Sequence, residues 1–246
     1  SYYSAMSKQA MQMPRPACCG QAKHSLCYGQ TSLVSPESSA GVNVVVAILA
    51  LGYNIEDALV FNKAAVERGL FRSISTQVYR NIEVCEFLVN DVLPQDTRPF
   101  NNKHDELITD ITQDADGMYR VTTQRMRVPE VGDKFCSRAG QKGTVGRMMP
   151  QEDMPFDASG ISPDVVINPH AFPSRMTVSQ VYETACAMLR CYGVQTDARP
   201  FAPTPPMQDQ LAAHGFSRSG KHTMMSGTTG RPLEARVFMG LCFYQR

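Results

Sequence analysis

The segment with the most obvious chemical potential is a glycine-rich run that contains two lysines, Gly132–Thr144. Lys134 and Lys142 stand eight positions apart, with Arg138 and Gln141 between them. Glycine lets a backbone approach a ligand closely, and a lysine ammonium is a flexible point charge that suits phosphate. The order Lys-Gly-Thr excludes a Walker A loop, which requires Gly-Lys-Ser/Thr. Composition alone favours a solvated basic loop over a phosphate site.

A second candidate is an arginine at the end of a segment rich in proline and glycine, residues 152–177. This composition predicts an irregular backbone that brings Arg175 just before the N-terminus of a helix. An arginine beside the free N–H groups of a helix end can clamp an anion. The alternative is that Arg175 only pairs with a nearby carboxylate.

Adjacent carboxylates, Glu56 and Asp57, follow a predicted buried strand. Acids at strand ends often bind metals, but an acid in the first turn of a helix also stabilises the helix dipole. The residues alone favour a helix cap for Asp57. The run Asp114–Gly117 predicts a hairpin turn rather than a metal site, because Asp-Gly favours tight turns.

Cysteine and histidine spacing predicts no zinc site. There is no C-x-x-C pair, and the five histidines lack a matching set of ligands. The eight cysteines are therefore expected to be free thiols in a reducing compartment.

The elements that must position these residues form an α+β pattern dominated by strands. A valine-rich apolar run, Val42–Leu51, is typical of a strand buried on both faces. Asn54 and Asp57 resemble a capping box and predict a helix that ends near Gly69. Residues 74–128 predict short strands and turns.

The C-terminal half predicts two helices and a strand. Thr177 and Gln180 form a second capping box, which starts a helix that Gly193 ends. A shorter helix is expected over residues 207–214, and apolar residues alternate over 233–243 as in a half-buried strand.

Composition describes a globular chain with an uneven charge distribution. Of 246 residues, 43% are hydrophobic and 19% are charged, which excludes a disordered or fibrous protein. The longest apolar run is about half the ~20 residues of a membrane span, and no secretory signal opens the chain, so an intracellular protein without membrane contact is expected.

The net charge of +1 hides three segments of different charge. Residues 1–36 carry three basic residues and no acid, residues 73–118 carry a net charge of −6, and residues 120–147 carry +5. A bound polyanion should therefore contact the ends of the chain and avoid residues 73–118.

Five long motifs in order resemble the second-largest (β-type) subunit of multisubunit DNA-directed RNA polymerases. They are Gly52–Ala58, Glu67–Ser73, Val131–Gly146, Glu152–Thr177 and Gly240–Arg246. A further segment, Ser4–Ala10, is similar to that subunit just upstream of its hybrid-binding region. Asn168-Pro-His170 resembles the archaeal, eukaryotic and large-DNA-virus branch more than the bacterial one.

This resemblance implies a fold: a β-rich hybrid-binding region with a double-psi β-barrel, interrupted by a shortened wall (flap) insertion. It divides the chain into residues 1–72, the first part of the hybrid-binding region, residues 73–125, the wall, and residues 126–246, the second part.

The resemblance also implies roles for individual residues. Lys134 and Lys142 would lie beside the growing RNA end and the phosphates of the incoming nucleotide, and Arg175 would contact the triphosphate. Glu56 and chiefly Asp57 would lie near the second, nucleotide-borne Mg²⁺, which is shared with the largest subunit. The implied nucleic-acid contacts are Lys8, Gln9, Arg138 and Gln141. Such residues suit phosphoryl transfer, which depends on positioning and on charge neutralisation.

The implied assembly supplies what this chain lacks. In the family, the largest subunit holds the catalytic Mg²⁺ with three aspartates, so this chain would be a nucleotidyltransferase only within the multisubunit enzyme. The implied partners are the largest subunit, other polymerase subunits, the DNA template, the RNA product and nucleoside triphosphates, in a nucleus, a cytoplasm or a viral particle. Two alternatives remain open: a non-catalytic nucleic-acid-binding or assembly fragment of that subunit, and an unrelated nucleotide-binding enzyme that uses the lysine loop alone.

Overall fold

The computed structural model describes residues 41–194 and 206–246. The chain divides into two compact units. The barrel unit comprises the described residues up to Phe71 and those from Glu130 to Arg246, and the insertion unit is Arg72–Pro129. Identification of the insertion unit as a polymerase wall stays a prediction. Lys8 and Gln9 lie outside the described residues.

Strands dominate, as the sequence predicts. The described strands are β1 (Gly41–Ile48), β2 (Ala58–Asn62), β3 (Ser73–Ile82), β4 (Val92–Leu93), β5 (Glu106–Gln113), β6 (Tyr119–Arg127), β7 (Lys134–Ser137), β8 (Lys142–Met149), β9 (Phe156–Asp157), β10 (Val165–Ile167), β11 (Lys221–His222), β12 (Met224–Met225) and β13 (Val237–Gln245). The described helices are α1 (Lys63–Glu67), α2 (Ala171–Arg175), α3 (Val178–Cys191) and α4 (Met207–Ala213), with a 3₁₀ turn at Gln151–Asp153.

Six strands of the barrel unit pair in a closed ring, in the order β1-β10-β2-β8-β7-β13 and back to β1. The β1–β10 and β2–β8 pairs are parallel, and the other pairs of the ring are antiparallel. Closure removes free strand edges and encloses a core. That core contains the fully buried side chains of Val44, Phe61, Phe135, Val145 and Tyr244.

The first predicted helix is wrong over most of its length. Residues 58–62 form β2, and the helix α1 begins only at Lys63, after Asn62. The Asn62 side chain accepts a hydrogen bond from the Ala64 amide, so Asn62 is the N-cap. Asp57 is neither a capping-box residue nor a first-turn acid. The strand forms because Leu59, Val60 and Phe61 are buried in the barrel, and this burial outweighs local helix signals.

The helix predicted after Thr177 is confirmed as α3, but its capping box is not. The Thr177 hydroxyl donates to Gln141 Oε1 (3.1 Å) instead of capping the helix. The Gln180 amide donates to the Tyr244 hydroxyl (3.0 Å), so it does not reach back to the cap. The apolar side chains at the two ends of this segment, Val178 and Tyr192, are exposed.

The insertion unit is one antiparallel sheet in the order β3-β6-β5-β4. The predicted hairpin turn is confirmed: the Gly117 amide donates to the Asp114 carbonyl (2.9 Å), and Gly117 has φ +79°. Asp114 pairs with Arg120. The core of this unit is formed by Ile82, Leu93, Phe100, Ile108 and Val121.

Other local predictions are also confirmed. The strand rich in valine forms β1, the short helix forms α4, and the C-terminal strand forms β13, although it begins at Val237 rather than Leu233. Every cysteine in the described part of the chain is a free thiol. None of the helices over residues 41–194 and 206–246 has the length and hydropathy of a membrane span.

Candidate functional site

The two lysines of the glycine-rich segment lie on one hairpin, β7–β8, and on the same face of it. Lys134 is opposite Thr144, and Cys136 is opposite Lys142. Alternate residues of a strand share a face, and directly opposed residues do too, so both ammonium groups project from the same side. Both side chains are exposed, and neither has an ion-pair partner among the residues that the structure describes.

Asp57 lies against this hairpin through its backbone. Its carbonyl accepts a hydrogen bond from the Thr144 amide (2.9 Å), at the start of the parallel β2–β8 pair. Gly143 makes the close approach possible, because a Cβ at that position would lie 2.7 Å from the Asp57 carbonyl oxygen. The third glycine of the segment thus serves packing between strands and not flexibility.

The turn that carries Asp57 has an unusual backbone. Tyr53, Glu56 and Asp57 all have positive φ, at 72°, 48° and 67°. Buried Asn54 holds the turn, since its side chain accepts from the Leu51 amide (3.0 Å) and donates to the Leu49 carbonyl (2.7 Å). Left-handed non-glycine residues cost of order 1 kcal/mol each and cluster at functional sites. The conformation presents the Asp57 carboxylate, while Glu56 is exposed.

Arg175 reaches the same place from a distant part of the chain. It ends α2, and the left-handed Met176 (φ 54°) separates it from the N-terminus of α3, as the sequence predicts. Its Nη2 lies 2.5 Å from Asp57 Oδ2, across 118 positions of sequence. The predicted pairing of Arg175 with a carboxylate therefore occurs, and the carboxylate is itself a predicted site residue. Both side chains remain accessible, at 39% and 29% exposure.

The site as a whole is cationic. Lys134, Lys142 and Arg175 lie at the end of the barrel where β2 and β8 begin, and Arg175 pairs there with the Asp57 carboxylate. Arginine and lysine donors of this kind bind phosphate oxygens and stabilise negative charge that develops during phosphoryl transfer. Such an arrangement can hold a polyphosphate or a phosphodiester.

A buried polar network supports the turn of the hairpin. The Ser137 hydroxyl donates to Gln180 Oε1 (3.0 Å), and the Gln180 amide donates to the Tyr244 hydroxyl (3.0 Å). Gln141 accepts from Thr177 and is 5% exposed. These bonds fix residues 137–141 to α3 and β13, so the lysines project from a rigid support.

Arg138 is also part of this support. Its guanidinium forms an ion pair with Glu183 (Nη2 to Oε1, 2.7 Å), and the two side chains are 8% and 2% exposed. The same group lies over the Phe243 ring, 5.7 Å from its centroid. Direct nucleic-acid contact by Arg138 and Gln141 stays a prediction, but their buried positions favour a structural role for both.

The thiol opposite Lys142 does not neutralise it. Burial raises the pKa of Cys136, and the Lys142 ammonium lowers it by a smaller amount. The thiol therefore stays neutral at physiological pH and bonds to the Ser137 carbonyl. Cys136 therefore offers Lys142 no negative charge to pair with.

The described part of the chain offers few grouped metal ligands. Within residues 41–194 and 206–246, no three His, Cys, Asp or Glu side chains are grouped so as to hold a metal ion. Asp57 supplies one accessible carboxylate, which is paired with Arg175. A single carboxylate fits a Mg²⁺ ion whose other ligands are water and phosphate oxygens.

Sequence reasoning missed the residues that support the site. Gln180, which was predicted only as a capping residue, and Glu183, for which no role was predicted, are polar residues of α3 that are at most 2% exposed. Gly240 was also missed, although a Cβ there would lie 2.7 Å from Met188 Sδ. The available signal was the helical spacing of Gln180, Glu183, Thr184 and Ala187, which places four small or polar residues on one face.

Comparison with known proteins identifies the family. The sequence model for RNA polymerase Rpb2, domain 6, matches residues 1–116 and 89–246. The DNA-directed RNA polymerase II subunit RPB2 of Schizosaccharomyces pombe is 33% identical, over 100% of this chain and 27% of the relative. The subunit Rpo2 of Saccharolobus solfataricus is 29% identical, over 100% of this chain and 29% of the relative.

A viral relative matches equally well. The probable RNA polymerase II subunit RPB2 homologue of Invertebrate iridescent virus 3 is 33% identical, over 100% of this chain and 28% of the relative. The chain thus spans little more than a quarter of the length of the curated relatives that it matches. With a family model that covers both halves and relatives in three branches, the chain belongs to the RNA polymerase Rpb2 domain 6 family, among the second-largest subunits of DNA-directed RNA polymerases.

Proposed function

We propose that this chain forms part of the catalytic core of a DNA-directed RNA polymerase and binds the RNA–DNA hybrid and the incoming nucleoside triphosphate. In this proposal, the closed six-stranded ring is the double-psi β-barrel of the hybrid-binding region, and the insertion unit is a shortened wall. The strand order with two parallel and four antiparallel pairs supports the first assignment.

The observation that carries the proposal is the pairing of Asp57 with Arg175 beside the hairpin of Lys134 and Lys142. The four residues were predicted from three separate motifs, and the barrel brings these three segments together at one end. In the proposed role, the lysines and Arg175 hold the phosphates of the nucleotide and of the RNA end. They thereby orient the reacting groups and offset charge as it develops.

Mg²⁺ would be held mainly by the largest subunit. When bound, the metal supplies charge neutralisation at the phosphates. In this chain, Asp57 would contribute a carboxylate to the nucleotide-borne ion, with Glu56 exposed nearby. Arg175 would then lose part of its contact with Asp57 and donate hydrogen bonds to the triphosphate instead.

The proposal includes partners that the chain needs for activity. These are the largest subunit, the other polymerase subunits, the DNA template, the RNA product and nucleoside triphosphates, in a nucleus, a cytoplasm or a viral particle. The isolated chain should not extend RNA, because it lacks a cluster of acids that could hold the catalytic metal over its described residues.

The test uses the chain purified natively with the proteins that accompany it, identified by mass spectrometry. Magnesium-dependent addition of single nucleotides to an RNA primer on a DNA template is then measured for Lys142→Ala. Loss of one charge-stabilising donor should lower the addition rate about 100-fold. Lys63→Ala is the matched control, because Lys63 is an exposed lysine of the barrel unit in an i,i+4 ion pair with Glu67.

The outcomes separate the catalytic proposal from the alternatives. A normal addition rate for Lys142→Ala in an assembled, active enzyme would contradict the catalytic role of the hairpin. Copurification with polymerase subunits but no nucleotide crosslink to Lys134 or Lys142 would favour an assembly fragment. Nucleotide turnover by the isolated chain would instead favour an independent enzyme.

A further inference from the structure

The insertion unit contains a polar cavity that the proposed nucleotide site does not use. It has a volume of about 390 Å³, and all of its lining residues belong to this one unit. Its cationic residues are Lys103, Arg125 and Arg127, and His104 also lines it. A volume of this size lies within the range of small-ligand sites.

Strand geometry brings the two arginines together. Arg125 and Arg127 are alternate residues of β6 and therefore lie on the same face of the sheet. Ser75 on β3 is directly opposite Arg125, and Gln77 is opposite Thr123. The floor of the cavity thus places hydroxyl and amide groups beside two guanidinium groups.

The loop that carries Lys103 is held in place by its neighbour. Asn102 is 2% exposed, and its side-chain amide donates to the carbonyls of Pro94 (2.7 Å) and His104 (2.8 Å). Its side-chain oxygen accepts from the Thr97 amide (3.1 Å). A loop anchored in this way presents Lys103 at the cavity without a large loss of conformational entropy on binding.

The cavity has more positive charge than its own acid can balance. Glu106 is the one acidic residue among those that line it, and its Oε2 accepts from the hydroxyls of Thr123 (2.5 Å) and Tyr79 (3.1 Å). Lys103, Arg125 and Arg127 have no ion-pair partner among the described residues. By contrast, Arg120 on the same strand pairs with Asp114 at 3.1 Å, outside the cavity.

From this arrangement we infer that the insertion unit binds a phosphate group of a nucleotide, either free or within a single strand. Two arginine forks and a lysine match the several oxygens of a tetrahedral phosphate group better than a single carboxylate. Ser75 and Gln77 add neutral donors. The site is independent of Lys134 and Lys142, and it is an exception to the expectation that a polyanion avoids residues 73–118.

The test measures protection of Lys103 in the full chain. Lysine acetylation is quantified residue by residue by mass spectrometry, with Lys63 as the internal reference. The probes are inorganic phosphate, uridine monophosphate and a hexameric oligouridylate, each compared with sodium chloride at equal ionic strength. Phosphate-bearing probes should slow modification of Lys103 severalfold and leave Lys63 unchanged.

Two variants locate the effect. Arg125→Gln should raise the dissociation constant of the probes about tenfold or more, since it removes charge-assisted hydrogen bonds. Arg127→Gln serves as the second cavity variant. Arg120→Gln is the matched control, because it removes the same charge from the same strand outside the cavity, and it should keep full protection. Lys142→Ala should also keep it, so failure here is distinguishable from failure of the proposed nucleotide site.

The probes also identify the source of the phosphate. Protection by the oligouridylate at a lower concentration than by the mononucleotide indicates a strand, and equal protection per phosphate indicates a free nucleotide. The inference is overturned if no probe protects Lys103 at millimolar concentration. It is overturned equally if Arg125→Gln and Arg120→Gln weaken protection to the same extent, or if sodium chloride at equal ionic strength protects Lys103 as well as the phosphate-bearing probes do.

Discussion

The barrel unit and the insertion unit place charged groups in different ways. In the barrel unit, the site depends on contacts between distant segments, such as the pair of Asp57 with Arg175 across 118 positions and the pairing of β1 with β13. In the insertion unit, Arg125 and Arg127 come from one strand, and the whole sheet is built from 58 consecutive residues, Arg72–Pro129.

This difference also appears in the buried polar groups. The barrel unit buries an ion pair and a chain of side-chain hydrogen bonds beneath its lysine hairpin. The insertion unit buries Glu106 and Asn102. Glu106 accepts a hydrogen bond from Thr123 on the adjacent strand, and the Asn102 side chain donates to the Pro94 carbonyl in the same loop region. A site assembled from distant segments thus requires a buried network to hold it, whereas a site on one sheet needs only local anchors.

The largest effect on stability is expected from Glu183→Ala. This change leaves Arg138, which is 8% exposed, without the Glu183 carboxylate. Breaking a buried pair from one side costs about 3 to 5 kcal/mol in free energy of unfolding. Urea denaturation of the chain measures the loss.

The matched control for this change is Asp209→Ala. Its partner is Arg218, and both side chains are largely exposed, at 64% and 74%. An exposed pair contributes at most about 1 kcal/mol. Equal losses for the two variants would show that the barrel does not depend on its buried pair.

A second comparison uses one glycine from each unit. Gly143→Ala in the barrel should cost about 1 to 3 kcal/mol, since its Cβ would lie 2.7 Å from the Asp57 carbonyl oxygen. At Gly117 in the insertion unit, an added Cβ would meet open space, but the backbone has φ +79°. Because alanine disfavours this conformation, Gly117→Ala should lower the free energy of unfolding by about 1 kcal/mol.

Substitution by asparagine separates these two causes. Asparagine tolerates a positive φ, so Gly117→Asn should be nearly neutral, whereas Gly143→Asn should be worse than alanine because it is larger. Thermal or urea unfolding measures all four variants. A neutral Gly143→Asn would refute the close strand approach beside Asp57.

A smaller effect is expected at the observed helix cap. Asn62→Ala removes the acceptor for the Ala64 amide and should cost about 1 kcal/mol. Asn62→Ser keeps a cap acceptor and should retain most of the stability. If both variants unfold at the same urea concentration as the unchanged chain, the cap contributes nothing to the barrel unit.

The last effect is a pH dependence in the insertion unit, and it appears only in alkaline solution. Burial, and then the hydrogen bond and charge of Glu106, raise the pKa of Tyr79 from 10.0 to about 12. The folded-state pKa lies above the unfolded value, so this contribution is complete below pH 10 and is lost as pH rises from about 10 to about 12. Tyr79→Phe should lack this decline, and urea titrations across that interval compare the two. If the free energy of unfolding of both proteins falls equally over this interval, the decline does not come from Tyr79.

Local sequence signals predicted the turn and strands of the insertion unit and several elements of the barrel unit. The Asp-Gly turn before β6 and the helix α4 follow from short patterns, because their geometry depends on neighbouring residues. The strand β1 follows from its run of valines, although its pairing with β13 does not. The helix predicted from Asn54 failed where burial in the barrel turned residues 58–62 into a strand. The capping box at Thr177 failed because Gln141 and Tyr244 engage its members.

Sequence was sufficient for the residue types of the site and for the family, since Lys134, Lys142, Arg175 and Asp57 stand in long motifs that are read without a structure. Only the tertiary structure decided which of them meet. The closed ring brings Asp57 to Arg175 and to the lysine hairpin, and it buries Arg138 against Glu183. The physical reason is that strand pairing and burial join segments more than 100 positions apart, and no local propensity specifies such contacts.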